Sequence, residues 1–434
     1  LRAGGYRTHA AGKLHLRASA TPIGADLSTE DPIAEPERNV HWQNARIRKA
    51  PDDYYGFEHW DSTVGHGSSD ILGDFRVWLE ANHPDALPCL GHFDRYTGDR
   101  YPWDEADIDP SLHYNHWIAD RSIDFLDQCA EGAAPFFLWC SFPDPHSPFI
   151  GLKDYADLYR RMDFELPPHD ADLPLDEIPE TLLRQKGGAD GFQKAAYRFG
   201  GEENLRELHI QTFAMIHHID EQIGRVMAAL RQNGQDENTV VVFMSDHGEM
   251  LGEHGLMHKM GWPYDGCARV PFIVRPTAPH RRARTVEEPV SFIDFAPTLL
   301  DWAGVPQPED PGVTPEYRET AAPLQPPLPG ESLRNVVDQG ATPSRQHALV
   351  EFDNDLEAHF ECLQMRMLVT ADYKFCYYRP TGECLLYDRR RDPGEHRNLA
   401  QSPEYASVRE QLLRQLLDEV MRTDVRLPRR LNGA

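Results

Sequence analysis

The chain has 434 residues, 40% of them hydrophobic, and a net charge of -26. Such a length fits one large domain with a smaller companion, and the apolar content supports a substantial core. The acidic excess excludes a general nucleic-acid binder, and no apolar run reaches the length that crosses a bilayer. The seven cysteines show no C-x-x-C or zinc spacing, so no disulfide framework is implied. Of these, Cys362, Cys376 and Cys384 are near enough in sequence to pair.

Residues 1–5, LRAGG, read as the last turn of a helix stopped by a glycine. Residues 6–11 read as a strand, with Gly12, Lys13, Leu14 and His15 at its end. Residues 20–112 are rich in Pro, Gly, Asp, His and Trp and read as irregular loops of the kind that shape pockets. A helix is predicted over 114–129 and a buried strand over 136–140. The strand runs straight into SFPDPHSPF, which carries His146. A further loop covers 163–200, and apolar residues at three-to-four spacing predict a long helix over 202–232. His217 and His218 lie within it, where packing is a stronger reading than metal binding.

The densest block is residues 239–274. Its opening run, Val240 to Phe243, has the pattern of a strand buried on both faces of a parallel sheet. Ser245, Asp246, His247, Gly248 and Glu249 follow at once, where open α/β sheets bind ligands. Asp and His together there suit a divalent metal. Gly248, Gly252 and Gly255 let the loop fold back, Lys259 adds a cation, and Arg269, Val270 and Pro271 lead into a second apolar run. Beyond it, a short helix over 292–302, a Pro-rich linker over 305–330, strands over 347–352, 364–370, 373–378 and 383–387, and an amphipathic helix over 408–421 are predicted. The domain boundary falls between residues 330 and 331.

This block resembles the sulfatase family of the alkaline phosphatase superfamily. The likeness rests on S-D-[NH]-G-E, L-G-[DE]-H-G-L, a following Lys and R-V-P, all present in order. Residues 5–16 resemble the family's G-Y-x-T-x-x-x-G-K-x-H signature, SFPDPHSPF its P-H-x-P-F loop, and residues 386–399 its closing L-Y-D…D-P-x-E-x-x-N-L. The resemblance implies a mostly parallel central sheet flanked by helices, an α/β fold, with a small C-terminal antiparallel sheet and helix. It also implies roles. Asp246 and His247 are expected to hold one divalent ion. Lys13 and Lys259 are expected to hold sulfate oxygens, His146 to serve the leaving oxygen, and His15 the hydroxyl of a formylglycine nucleophile. The six are expected to meet in one cleft. Calcium is the family's usual ion; His247, where many members have Asn, keeps manganese open.

The family's nucleophile motif, C-x-P-S-R, is absent. Residues 341–345, ATPSR, mimic it in the wrong order. The chain is therefore expected to lack an N-terminal segment and to be inactive alone. The implied substrate is a small-molecule or carbohydrate sulfate ester, with neither nucleic acid nor membrane as partner. A phosphonate monoester or phosphodiester hydrolase, or a dead binding homologue, stays open. Compartment and oligomeric state are not implied. Trp262 and Tyr264 suit either a pocket wall or the core, and Glu253 and His254 read as supporting residues.

Overall fold

The computed structural model describes residues 1–16, 31–91, 103–167, 179–181, 201–259, 261–307, 328–354, 363–379 and 381–423. Most of the loop expected over 163–200 and of the linker over 305–330, together with Cys362 and Pro380, lies outside them. Two compact units divide the chain: Leu1–His169 with Ala196–Thr239, and Asp170–Ala195 with Val240–Ala434.

In the first unit a short 3-10 turn ends on Gly5 in the left-handed region, as the LRAGG pattern implies. β1 (Arg7–Gly12) is the middle of a three-stranded sheet. After α1 (Asn39–Gln43), β2 (His59–Ser62) pairs parallel with one edge of β1. α2 (Asp74–Asn82) and β3 (Trp103–Ala106) follow. Then come α3 (Tyr114–Ala130) and β4 (Phe136–Ser141), which pairs parallel with the other edge of β1. β5 (Phe149–Leu152) joins β3 in a second parallel pair, followed by α4 (Lys153–Arg160) and the long α5 (Glu202–Gln232). The region read as irregular loop thus holds two strands, β2 and β3, and two helices, α1 and α2. β2, HWDS, is too short and too polar to show an apolar period.

The core between sheet and helices contains Ala11, Ile71, Phe75, Leu79, Tyr114, Trp117 and Ile118. Each large side chain so buried contributes roughly 1.5–3 kcal/mol. α5 lies against β5 so closely that a Cβ on Gly151 would sit 2.5 Å from the Ala214 Cβ. His218 of α5 is buried, stacked on Tyr155 and edge-on to His113. Burial pushes its imidazole down to about 4. It is a packing residue, as expected of it.

In the second unit β6 (Val241–Met244) pairs antiparallel with β7 (Phe272–Arg275). This corrects the parallel, doubly buried reading of the 240–243 run. Phe243 and Ile273 are partners across the pair and are 42% and 60% exposed. An unbroken apolar run does not encode which way its neighbour runs. α6 (Asp265–Ala268) lies between the two strands in sequence. α7 (Phe295–Ala303) and α8 (Arg334–Gln339) precede an antiparallel meander of β8 (His347–Asn354), β9 (Leu363–Thr370), β10 (Tyr373–Arg379) and β11 (Glu383–Asp388). α9 (Ala406–Thr423) closes the chain.

Strand side chains alternate between faces, and both faces of the meander are covered. Leu368, Phe375 and Leu386 face Leu412 and Leu416 of α9. Met365, Met367, Cys376, Tyr378 and Tyr387 face Met250, Leu256, Trp262 and Tyr264. The loop after β6 therefore belongs to the same core as the C-terminal sheet, so this division does not follow the boundary expected at residue 330. Trp262 and Tyr264 are core, 1% and 5% exposed. Residues 341–345 are structural too: Arg345 is buried between Asp294, at 2.6 Å, and Glu419, at 3.2 Å. Cys376 and Cys384 are free thiols.

Candidate active-site groups

Lys13, His15 and His146 belong to the first unit; Asp246, His247 and Lys259 belong to the second.

In the first unit the carboxyl ends of β1, β2 and β4 are fastened together. Gly12 has φ +99, and a Cβ there would sit 1.9 Å from the Ser141 carbonyl oxygen. Only glycine lets the two strand ends approach this closely. Lys13 N–H then donates to the Ser141 carbonyl (3.1 Å), and Thr63 N–H to the Gly12 carbonyl (3.2 Å). Trp60 Nε1–H donates to the same Gly12 carbonyl (2.7 Å). Asp74, at the start of α2, holds the end of β2 by accepting from the Ser62 amide (2.9 Å) and hydroxyl (2.8 Å).

The three strand ends place Lys13 and His15 beside one another and bring in His66, which sequence reasoning missed. Lys13, His15, Glu37, Trp60, Thr63 and His66 line one pocket. The His66 ring meets His15 edge-on at 5.8 Å and stacks on His146 at 4.1 Å. The structure thus brings together all three expected residues of this unit. Glu37 fixes the segment after His15, its Oε1 accepting from Tyr54 Oη (2.8 Å) and the Leu16 amide (3.0 Å). Asp144, two residues before His146, is buried and accepts from Tyr114 Oη (2.6 Å) and Asn115 Nδ2 (2.7 Å). Burial pushes its carboxyl up to about 7, against the pull of those two hydrogen bonds.

In the second unit Asp246 and His247 follow β6 directly. Asp246 Oδ1 accepts from the His247 amide (3.0 Å). The Gly248 carbonyl lies 2.8 Å from His247 Nδ1. A carbonyl only accepts, so Nδ1 carries a proton, and in the neutral ring Nε2 is then the acceptor. Nε2 lies 3.4 Å from Asp246 Oδ2. Gly248 does not turn the loop, since its φ is ordinary. It is needed for packing: a Cβ there would sit 2.0 Å from the Gly266 carbonyl oxygen. Gly252 and Gly255 do make the turn, with φ of 100 and 63. Glu249 gathers the loop by accepting from the His258 and Leu251 amides. Burial would push its carboxyl up, but the His258 and Leu251 contacts outweigh it and hold it low. Burial draws the Lys259 ammonium below its ordinary value, with Asp246 and Glu249 partly offsetting it. His254 stacks on Tyr264 at 3.7 Å, in the supporting place expected of it.

A family model described as Sulfatase matches residues 1–305, over half of the chain. The chain belongs to the sulfatase family. A second model, described as N-sulphoglucosamine sulphohydrolase, C-terminal, matches residues 252–422. Among curated relatives, an uncharacterized sulfatase of Escherichia coli is 32% identical over 72% of this chain and 56% of its own length. An arylsulfatase of Clostridium perfringens is 28% identical over 96% of this chain and 76% of its own. A solved protein in complex with its substrate D-glucosamine-2-N,6-O-disulfate superposes with a TM-score of 0.63. It is 20% identical, covering 99% of this chain and 82% of that one, a likeness of fold.

Sulfatases as a family use a divalent ion. Among the described residues no three His, Cys, Asp or Glu side chains are arranged to hold one. Asp246 and His247 fit as two of its donors. The Gly248 carbonyl fixes the tautomer that leaves Nε2 able to ligate, the arrangement usual for metal-binding histidine. Nε2 and Asp246 Oδ2 lie 3.4 Å apart, so one cation can meet both. Among the described residues no helix is long and apolar enough to cross a membrane.

Proposed function

We propose that this chain belongs to a metal-dependent sulfuric ester hydrolase of arylsulfatase type. Its nucleophile would be a formylglycine, as the family resemblance implies. The observation that carries the reading is the set of Lys13, His15 and His146 after the fastened ends of the neighbouring parallel strands β1 and β4. An ester transfer of this kind needs anionic charge stabilised and a proton delivered to the leaving oxygen. Lys13 holds sulfate oxygens as a fixed cation. His146, its Nδ1 against the Ser147 carbonyl, presents Nε2 to the leaving oxygen. His15 serves the nucleophile's hydroxyl. Lys259 adds a second cation whose burial strengthens its attraction for an anion.

Asp246 and His247 would hold the metal ion, which when bound polarises an ester oxygen and orients the nucleophile. The carboxylate favours Ca²⁺ and the imidazole favours Mn²⁺. A carbohydrate sulfate is the proposed substrate class, supported by the sulfated glucosamine in the structural neighbour. His247 favours a second reading, phosphonate monoester or phosphodiester hydrolysis, because Asp followed by His resembles some hydrolases of that kind.

Parallel assays of the full-length protein on an aryl sulfate and an aryl phosphonate monoester test the choice, with metal content by elemental analysis. The sulfate is expected to be preferred. Lys259→Ala should lower turnover by about 10²-fold, the scale of a lost transition-state charge partner. Preference for the phosphonate overturns the sulfatase reading; unchanged kinetics in the variant remove Lys259 from it.

A further inference from the structure

We propose that His66 is a third imidazole of the substrate site, contacting the anionic group of the ester, and that Tyr114 and Asp144 position it. The proposal rests on the sulfatase reading and adds a specificity residue to it. His66 sits on a loop closed at its base by the reciprocal hydrogen bonds of Val64 and Leu72, 3.0 and 2.8 Å. Within that ring Gly65 and Gly67 have φ of 95, and Ser68, a residue with a Cβ, has φ 59. Backbone held in the left-handed region persists only where surrounding contacts impose it.

The Tyr114 hydroxyl lies against the backbone at Gly67 and Ser68. The same hydroxyl donates to Asp144 Oδ1, and Asn115 holds Oδ2. One buried phenol therefore ties a point two residues after His66 to a point two residues before His146. Gly67 is part of the fit, since a Cβ there would sit 2.8 Å from Tyr114 Oη. The outcome is the stacked pair at 4.1 Å, with His15 edge-on to it and Lys13 lining the same pocket. Two stacked imidazoles repel one another if both carry protons, unless an anion lies within reach of both. A tetrahedral oxyanion offers enough acceptors to take an N–H from each.

The test uses the full-length protein. Calorimetry gives the affinity for inorganic sulfate, and steady-state kinetics on an aryl sulfate give kcat and KM. His66→Ala is expected to weaken sulfate binding and raise KM by about 10-fold, the scale of one charge-assisted hydrogen bond. His66→Gln, which keeps an N–H donor, should recover part of the loss. Tyr114→Phe should raise KM by roughly 3- to 10-fold, and add nothing in the His66→Ala background, because both changes remove one interaction. If Tyr114→Phe does not fold, the near-isosteric Asp144→Asn takes its place in the cycle.

Unchanged sulfate affinity and KM in His66→Ala overturn the contact. Full additivity overturns the positioning role. If the wild-type protein hydrolyses no aryl sulfate, the sulfatase reading fails by itself, and the sulfate affinities still decide His66. A wild-type protein that binds no sulfate overturns the contact as well.

Discussion

Lys374 has a fully buried side chain whose ammonium lies between the carboxylates of Asp265 and Glu395. Replacing it with Met removes the cation and leaves two anions, Glu395 buried and Asp265 half-buried. Asp265 keeps Arg389 at 3.7 Å and Arg269 at 3.9 Å. Glu395, 3% exposed, keeps the Asp265 amide at 2.7 Å. Breaking a buried pair from one side costs about 3–5 kcal/mol. Because Asp265 retains its arginines, the lower end, about 3 kcal/mol, is expected for Lys374→Met. The pH dependence is specific. Burial raises the Glu395 carboxyl above 4.5 even with Lys374 present, and loss of the lysine raises it further. A carboxyl raised in the folded state contributes stability below its unfolded value and loses it as pH rises through the folded value. The deficit of the variant should thus be largest near neutrality and shrink toward pH 4.5. Adding Glu395→Gln should restore most of it. Urea unfolding at several pH values measures this. A deficit below about 1 kcal/mol, or one that does not change with pH, would refute the assignment of Lys374 as the neutralising charge.

Two further outcomes are expected. In Gly248→Ala the new methyl meets the Gly266 carbonyl at 2.0 Å. The strand end must shift, costing about 1–3 kcal/mol, and Ca²⁺ affinity by calorimetry should fall; affinity equal to wild type would separate this packing contact from the metal pair. For Asp144, whose carboxyl is raised from 3.8 to about 7 by burial, stability is present below 3.8 and lost as pH climbs through 7. Asp144→Asn should therefore gain on the wild type between those values, by at most about 4 kcal/mol; parallel stability profiles would show that Asp144 does not titrate in that window.

How far the sequence disclosed this arrangement depended on the kind of signal. α5 was predicted at its observed bounds, Glu202–Gln232, because its period of apolar residues is long and unbroken. The four C-terminal strands were found within a residue or two, their alternation being clear. β2 escaped because its four residues carry no period, and His66 went unseen with it. Nothing local in WDSTVGHGSSD says that Gly12 and Ser141 will fasten their strands beside it. The antiparallel pairing of β6 was hidden for a similar reason: the direction of a neighbour is a long-range fact. Motif spacing did locate Lys13, His15 and His146, which the first unit brings together, and Asp246 and His247 beside each other in the second. It could not say that Trp262 and Tyr264, so near Lys259, would face a sheet more than a hundred residues later.

The Val64–Leu72 closure makes residues 65–71 a ring standing on its own base. The ring is also pinned above that base, where Gly67 abuts the Tyr114 hydroxyl and Ile71 is buried in the core of the first unit. The part of the pocket wall that carries His66 is therefore set by the core behind it, while Lys13 and His15 are bound to the sheet by a glycine that admits no substitute. Floor and wall of the pocket are thus anchored by separate contacts.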